Sequence, residues 1–198
     1  MAKWWLMLWV IPVCLQAQVY RWQEVDEWRK QMKQDSVMQL EYRAALHFHK
    51  LLNNYRSRKK LDTLVFDPLL WLTAYNHSVY MRDLDYLGHT QGNKNALFTG
   101  AMPGDRYDWT AGGAAPDAWS AENVLVNFSG DVVGNMDNIA RHIAEYSFTQ
   151  WKNSKPHHEN MTGKEHGKHG VAFAIKEGKV WGTDFYSRGS KRMHWPEE

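Results

Sequence analysis

Histidine is the residue in this sequence best suited to chemistry, because imidazole exchanges a proton near neutral pH and binds transition metals. The chain contains 10 histidines, and four of them lie between residues 156 and 170. His157 and His158 are adjacent, but a zinc-protease motif needs another histidine four residues further on, where Thr162 stands. His166 and His169 lie among glycines and lysines, a setting that predicts a solvated loop rather than a set of metal ligands.

Other reactive groups are scarce in the sequence. Cys14 is the only cysteine, and it lies in a segment that we predict to be removed, so the mature chain has no cysteine nucleophile and no cysteine-ligated metal. No Gly-x-Ser-x-Gly elbow, P-loop or Gly-x-Gly-x-x-Gly fingerprint occurs, which disfavours α/β-hydrolases and nucleotide enzymes. The 24 basic and 22 acidic residues give a formal charge of +2, too balanced to indicate nucleic acid as a partner.

The first 17 residues have the features of a secretory signal peptide. Lys3 gives a positive start, residues 4–15 are almost wholly apolar but too short to span a bilayer, and Ala17 offers a cleavage site. We therefore predict export to the periplasm or beyond, with no transmembrane segment after cleavage. Two alternatives remain open, namely a buried N-terminal helix and a lipoprotein signal with Cys14 as the lipidated residue.

The rest of the chain predicts one α+β domain. After an arm or short helix at residues 18–35, apolar residues recur at helical spacing from Val37 to Tyr55. A second helix begins at Asp67-Pro68 and places His77 on its inner face, as a hydrogen-bonded core residue. A third helix fits residues 136–151.

Glycine and proline punctuate the remaining segments. Residues 88–116 hold eight of them and predict a long loop without long regular elements, of the kind that is functional or mobile. Residues 171–175 and 180–186 predict a closing β-hairpin around Glu177-Gly178, and residues 188–198 a polar tail.

Five segments, in order, resemble motifs of the CAP superfamily, which includes cysteine-rich secretory proteins, insect antigen 5 and plant pathogenesis-related proteins. The match covers about residues 40–187, and we assign residues 36–187 to the domain. The segments are residues 48–56 with 64–70, Gly88-His89-Thr90, Ala121-Glu122-Asn123-Val124, residues 151–161 (similar to the bacterial form Trp-x-x-Ser-Pro-Gly-His-Arg-x-Asn-Ile), and the hairpin with Gly170-Val171-Ala172 and Trp181-Gly182-Thr183-Asp184-Phe185.

The resemblance implies a three-layer α-β-α sandwich with a small antiparallel sheet and a central cleft. In the family, two histidines and two glutamates face that cleft, and the histidines can hold a divalent metal, often zinc. Carried over by position, His89 and His157 are the metal ligands and Glu122 is one glutamate. Glu122 would accept a proton from metal-bound water or orient a histidine.

The sequence departs from the family pattern at the second glutamate. Ser154 stands where many eukaryotic members have that carboxylate, and Glu145, on another turn of the same helix, is an alternative at a different azimuth. His157 is preferred to His158 because Ser154 and Asn160 then both align. The cleft therefore consists of His89, Glu122 and His157 with the Ser154 hydroxyl.

Three functions follow from this interpretation. The first is an exported binding module for a lipid, peptide or glycan, or a cell-surface component, for which Tyr107, Trp109 and Trp119 are suited. The second is a metal-assisted hydrolase with Glu122 as general base, which the missing carboxylate disfavours. The third is a structural interaction domain of the cell envelope, in which the histidines and glutamate form only a hydrogen-bonded network.

Overall fold

The computed structural model describes residues 18–128, 134–189 and 194. A short 3-10 helix at Trp22–Glu24 precedes six α-helices and four β-strands in this part of the chain. In chain order they are α1 (Val25–Met32), α2 (Ser36–Arg58), β1 (Val65–Phe66), α3 (Pro68–Asp83), α4 (Pro103–Ala111), β2 (Trp119–Phe128), α5 (Met136–Asn153), α6 (Lys155–Thr162), β3 (Lys168–Lys176) and β4 (Lys179–Ser187).

The two long N-terminal helices begin where their capping residues predict. Asp35 accepts hydrogen bonds from the backbone N–H groups of the first turn of α2, and Asp67 does the same for α3. Pro68 occupies the first turn of α3, where no intrahelical N–H bond is lost. His77 is fully buried in α3, donates from Nε2 to the Gly88 carbonyl and accepts from Gln91 at Nδ1, which confirms it as a core residue.

A single four-stranded sheet has the order β1-β3-β4-β2. The predicted hairpin is confirmed: β3 and β4 pair antiparallel around Glu177 and Gly178, which have φ values of 51° and 75°. Pairing of β1 with β3 is parallel, and β2 pairs antiparallel with β4 as an edge strand. The two outer strands were not predicted, because β1 is only two residues long and β2 does not alternate between apolar and polar residues.

Helices cover both faces of the sheet, so the fold is the predicted α+β, three-layer α-β-α sandwich. On one face Phe48 of α2 packs edge-on against Trp151 of α5 and Phe173 of β3. On the other face α3 lies so close to β3 that a Cβ at Gly170 would meet the Trp71 backbone nitrogen at 2.0 Å. The sheet therefore forms the middle layer of one apolar core.

The loop predicted at residues 88–116 contains helix α4, so that prediction was wrong for residues 103–111. Pro103 sits in the first turn, the Asp105 carboxylate accepts from the Met102 backbone N–H, and Gly112 ends the helix in the left-handed region with φ 79°. These residues cap a helix here, whereas composition alone made the segment resemble a loop.

The solvated loop predicted around residues 166–169 was also wrong. His169 lies in β3, fully buried, with Nδ1 2.8 Å from the Asp184 carboxylate. His166 is buried as well, and its Nδ1 lies 2.8 Å from the Ser120 hydroxyl. Polar residues are accommodated inside the protein because each finds a specific partner, which local composition does not reveal.

The segment after residue 17 is part of the core. Trp28 of α1 is buried and packs edge-on against Trp71 and Tyr42. The backbone of Tyr20 exchanges two hydrogen bonds with the side chain of Asn76. The predicted signal peptide and most of the polar tail lie outside the described residues. No helix in the described ranges is both long and apolar enough to cross a membrane.

Glu41 generates a prediction about stability and pH. Its carboxyl is buried under β3, where Oε1 accepts from the Ile175 N–H at 2.7 Å, and burial raises the pKa of Glu41 to about 8. A carboxyl whose pKa is raised in the folded state stabilises the fold below its ordinary pKa, and that stability is lost as pH rises towards 8. Between about pH 5 and pH 8, the free energy of unfolding of the wild type should fall by roughly 4 kcal/mol relative to Glu41→Gln.

Urea unfolding of both chains at several pH values tests this. Glu41→Gln keeps the acceptor for Ile175 and does not ionise, so it should be more stable than the wild type at pH 8 but not at pH 5. Glu145→Gln, on the exposed side of α5, is the matched control and should follow the wild type throughout. Parallel pH profiles for the wild type and Glu41→Gln would contradict the prediction.

Candidate functional site

The carboxylate of Glu122 is the centre of the candidate site. Its side chain is almost fully buried on β2, with Oε2 2.6 Å from Arg106 Nη2 and Oε1 2.9 Å from His89 Nδ1. Burial raises the pKa of Glu122, but the hydrogen bond from His89 and the nearby positive charges, including Arg106, outweigh it and lower that pKa overall. Glu122 is therefore a charged residue with both oxygens engaged.

Arg106 is a site residue that sequence reasoning missed. It lies fully buried on α4, and Nη1 donates to the carbonyls of His89 and Ala101. The guanidinium thus fixes both the Glu122 carboxylate and the backbone that carries His89. Pro103 marks the start of α4 in the sequence. Once that helix is recognised, Arg106 is a charged residue on its buried side.

His89 presents one nitrogen to solvent. Because Nδ1 faces an ionised carboxylate, it carries a proton and donates, and in the neutral ring Nε2 therefore has the lone pair. The His89 side chain is 50% exposed, whereas that of Glu122 is 2% exposed. The pair is a buried carboxylate that orients an outward-facing imidazole, the arrangement in which proteins set a histidine to bind a metal or to accept a hydrogen bond.

His157 approaches the same place from α6. Burial lowers the pKa of His157, and His89 in its protonated form lowers it further, so the two rings lie within electrostatic reach of each other. Asn123 holds the helix start by donating to the His157 carbonyl at 3.1 Å, and Asn160 donates to Asn123 at 2.8 Å. His157 Nδ1 is buried and, within the described residues, has no hydrogen-bond partner.

The site straddles the edge strand of the sheet. Side chains alternate along β2, so Glu122 points towards α4 and Asn123 towards α6. On the open side of β2, three helix side chains donate to alternate carbonyls: Asn160 to Glu122 at 3.5 Å, Trp151 to Val124 at 3.2 Å and Gln150 to Val126 at 3.4 Å. Helices from both faces of the sheet therefore contribute side chains around β2.

The other predicted cleft residues have different roles. Ser154 joins α5 to α6, and within the described residues no hydrogen bond links its hydroxyl to His89, Glu122 or His157. Among the three aromatic candidates, only Trp119 is well exposed, at 42%. Tyr107 is buried, and Trp109 lies under the guanidinium of Arg21. Glu145 is exposed on α5 and does not replace the missing glutamate.

The donor set fits an open, two-imidazole metal site. His89 Nε2 and the His157 ring supply two neutral nitrogen donors, and the unpartnered Nδ1 of His157 is the kind of buried polar atom that a bound group would satisfy. Glu122 is committed to His89 and Arg106. No group of three or more His, Cys, Asp or Glu side chains in the described ranges is arranged to hold a metal ion. Water or a ligand would complete the coordination.

Comparison with known proteins identifies the family of the chain. A model of the family described as CAP, cysteine-rich secretory protein family, matches residues 49–185. The chain belongs to the CAP family. The matched range includes His89, Glu122, Ser154 and His157. Among curated protein sequences, none matches the chain.

Two solved structures resemble the fold. An extracellular protein containing an SCP domain, from Bacillus anthracis, aligns with a TM-score of 0.55 and 20% identity over 77% of this chain and 43% of its own. This chain therefore spans less than half of that protein. An outer surface protein from Borrelia burgdorferi aligns with a TM-score of 0.50 and 13% identity over 71% of this chain and 88% of its own. At these identities the likeness concerns the fold.

The buried Arg106–Glu122 pair generates a second prediction. Arg106→Met leaves a buried carboxylate without its main compensating charge, so we expect a loss of about 3–5 kcal/mol in the free energy of unfolding. The double variant Arg106→Met/Glu122→Leu removes both charges and should recover most of that loss. Chemical denaturation of the four chains of this double-mutant cycle measures both effects.

The exposed pair Arg141–Asp137, 3.0 Å apart on α5, is the control. Arg141→Met should change the free energy of unfolding little, because solvent screens that pair. A loss for Arg106→Met no larger than that of Arg141→Met would contradict the prediction.

Proposed function

We propose that this CAP protein is an exported binding module, which holds a small ligand at the β2 edge through His89 and His157. A divalent metal, zinc being the ion best suited to two imidazoles, would bridge the protein and the ligand. Export is proposed from the sequence features of residues 1–17, and it agrees with the extracellular and outer-surface descriptions of the two structural neighbours.

The observation that supports the proposal is that the Glu122 carboxylate bonds only inside the protein, whereas the histidine that it orients reaches solvent. Both carboxylate oxygens are engaged inside the protein, by Arg106 and by His89, while the His89 ring is half exposed. The carboxylate serves to orient the imidazole, and the imidazole serves to meet whatever enters from solvent. This arrangement supports binding through nitrogen lone pairs at a rigidly prepared site.

The surface beside the site supports a ligand with an apolar or sugar-ring portion. Trp119 packs against Phe185, which lies directly across the strand pair from Glu122 and so points to the same face. Gly104 of α4 leaves room for the indole, because a Cβ there would meet Trp119 Nε1 at 2.8 Å. Met102, 51% exposed, extends the apolar surface at the start of α4. A lipid, peptide or glycan would find contact area there.

The hydrolase alternative receives less support from the same geometry. A general base must accept a proton from a reacting group, and it works best with a pKa near the operating pH. The pKa of Glu122 is lowered and both of its oxygens already accept charge-assisted hydrogen bonds. Nothing in the described site offers a second carboxylate for the task.

Zinc titration of the purified protein tests the metal-bridged site. Calorimetry should show one zinc site in the wild type, with affinity reduced by at least about 10-fold in His89→Ala and in His157→Ala. Glu122→Gln should weaken zinc by about 10–100-fold as well, because an amide no longer fixes His89 as the Nδ1–H tautomer. Since the pKa of His157 is lowered, its ring should stay competent for zinc below the pH at which an ordinary histidine is protonated.

His142→Ala is the matched control, because His142 lies on α5, stacked on Tyr146 and apart from the site. It should bind zinc as the wild type does. Equal affinities for the wild type, His89→Ala and His157→Ala would rule out the metal-bridged site.

A further inference from the structure

A second cluster of ionisable side chains lies at the start of β3. Lys168, the first residue of β3, is fully buried, and its Nζ lies 2.5 Å from Asp117 Oδ2 and 3.2 Å from Asp67 Oδ2. Asp67 is fully buried and the Asp117 side chain is 23% exposed. A primary amine and a carboxylate are thus held in contact inside the protein, with a second carboxylate beside them.

A lysine in this position is costly as an ion. Moving an ammonium group out of water carries a large desolvation penalty, and ion pairing offsets it only in part. The chain shows the ordinary alternative elsewhere: Lys179 pairs with Asp85 at 2.9 Å at the surface, where both groups keep water contact. Conversion of the Lys168–Asp117 ion pair to a neutral bond would remove the penalty.

Asp67 is fixed in place and ready to relay a proton. Its Oδ1 accepts from the backbone N–H groups of Leu69 and Leu70 at the start of α3, at 3.0 and 3.1 Å. These bonds leave Oδ2 directed at Lys168 Nζ. The carboxylate is therefore immobile, and its second oxygen contacts the amine that would lose a proton.

Tyr107 carries a buried hydroxyl that is influenced by the carboxylates of this cluster. Its side chain is 1% exposed, and its hydroxyl has no hydrogen-bond partner within the described residues. Burial raises the pKa of Tyr107, and the charges of Asp67 and Asp117 raise it further, which places the hydroxyl in the field of these two carboxylates. Rotation of this O–H towards Asp117 would let it donate to an oxyanion formed there.

We propose that Lys168 and Asp117 join in an intramolecular isopeptide bond. One proton of the ammonium passes to the Asp117 carboxylate, which gives an amine and a carboxylic acid. The Nζ lone pair then attacks Asp117 Cγ, Asp67 takes a proton from nitrogen, and the Tyr107 O–H donates to the oxyanion. Asp67 returns the proton to the departing hydroxyl, the C–O bond breaks, and one water leaves. The products are an amide and an ionised Asp67, so atoms and charges balance with no other reactant.

The bond would tie β3 to the segment that precedes β2. Strand β4 lies between β3 and β2, so this link would cross the end of the sheet where Ser187 finishes β4. The sequence holds one cysteine and hence no disulfide of its own. An amide cross-link supplies the same kind of chain constraint without sulfur, and unlike a disulfide it is insensitive to reduction.

Intact-mass spectrometry of the folded protein tests the proposal. The wild type should weigh less than its sequence by one water, once its N-terminus is read from a peptide map of the same sample. Lys168→Met and Asp67→Asn should have their full sequence masses. Asp117→Asn should lose one ammonia instead of water and arrive at the mass of the wild type, since both routes form the same amide.

Proteolysis locates the bond. Fragmentation should show one branched peptide that contains both Asp117 and Lys168, and this measurement needs only the wild type, whatever the folding of the variants. Asp85→Asn, at the exposed lysine pair, is the matched control and should keep the water deficit. Full mass in the folded wild type would overturn the proposal, and so would a deficit that persists in Lys168→Met, because it would belong to another dehydration such as a succinimide.

Discussion

A carboxylate buried in protein must be compensated, and the charge of Glu122 organises much of this molecule. Arg106 neutralises it from α4, and the same guanidinium holds the backbone at His89. A charge that needs two partners from different segments makes those segments depend on each other. The loop before α4, the helix itself and the edge strand therefore form one unit.

The position of that charge on an edge strand explains how the site is assembled. A central strand has neighbours on both sides, and its two faces are separated by the sheet. Strand β2 has a neighbour only on the β4 side, so α6 comes around the open side and brings His157 towards His89. Histidines carried by opposite layers of the sandwich approach each other only at such an edge.

Local signals in the sequence determined the parts of the fold that could be predicted. Asp35 and Asp67 cap helices through hydrogen bonds to residues two and three positions away, and Gly178 allows the hairpin turn. The outer strand β2 and the partnership of Arg106 with Glu122 depend on contacts between distant segments, which no local pattern encodes. His166 and His169 were misplaced for the same reason, since their partners, Ser120 and Asp184, are remote in sequence.

The candidate site itself was anticipated from the order of family motifs rather than from spacing. The motif order named His89, Glu122 and His157, and the structure puts His89 and Glu122 in direct contact, with His157 within electrostatic reach. It gave no indication that Arg106 would occupy one of the Glu122 oxygens, because the arginine lies in a segment outside the motifs. Which atoms of His89 and Glu122 face solvent depends on all the hydrogen bonds among these residues and Arg106.

The three side chains that donate to the carbonyls of β2 have a consequence for self-association. An edge strand with free backbone groups is a template on which a second chain can extend the sheet. Here Asn160, Trp151 and Gln150 take the acceptors that an incoming strand would use. The outer edge of β2 is thus protected against strand-by-strand polymerisation. Trp151 is buried in the core, so this protection depends on the integrity of the fold, and a loosened α5 would leave the β2 edge able to pair with a second chain.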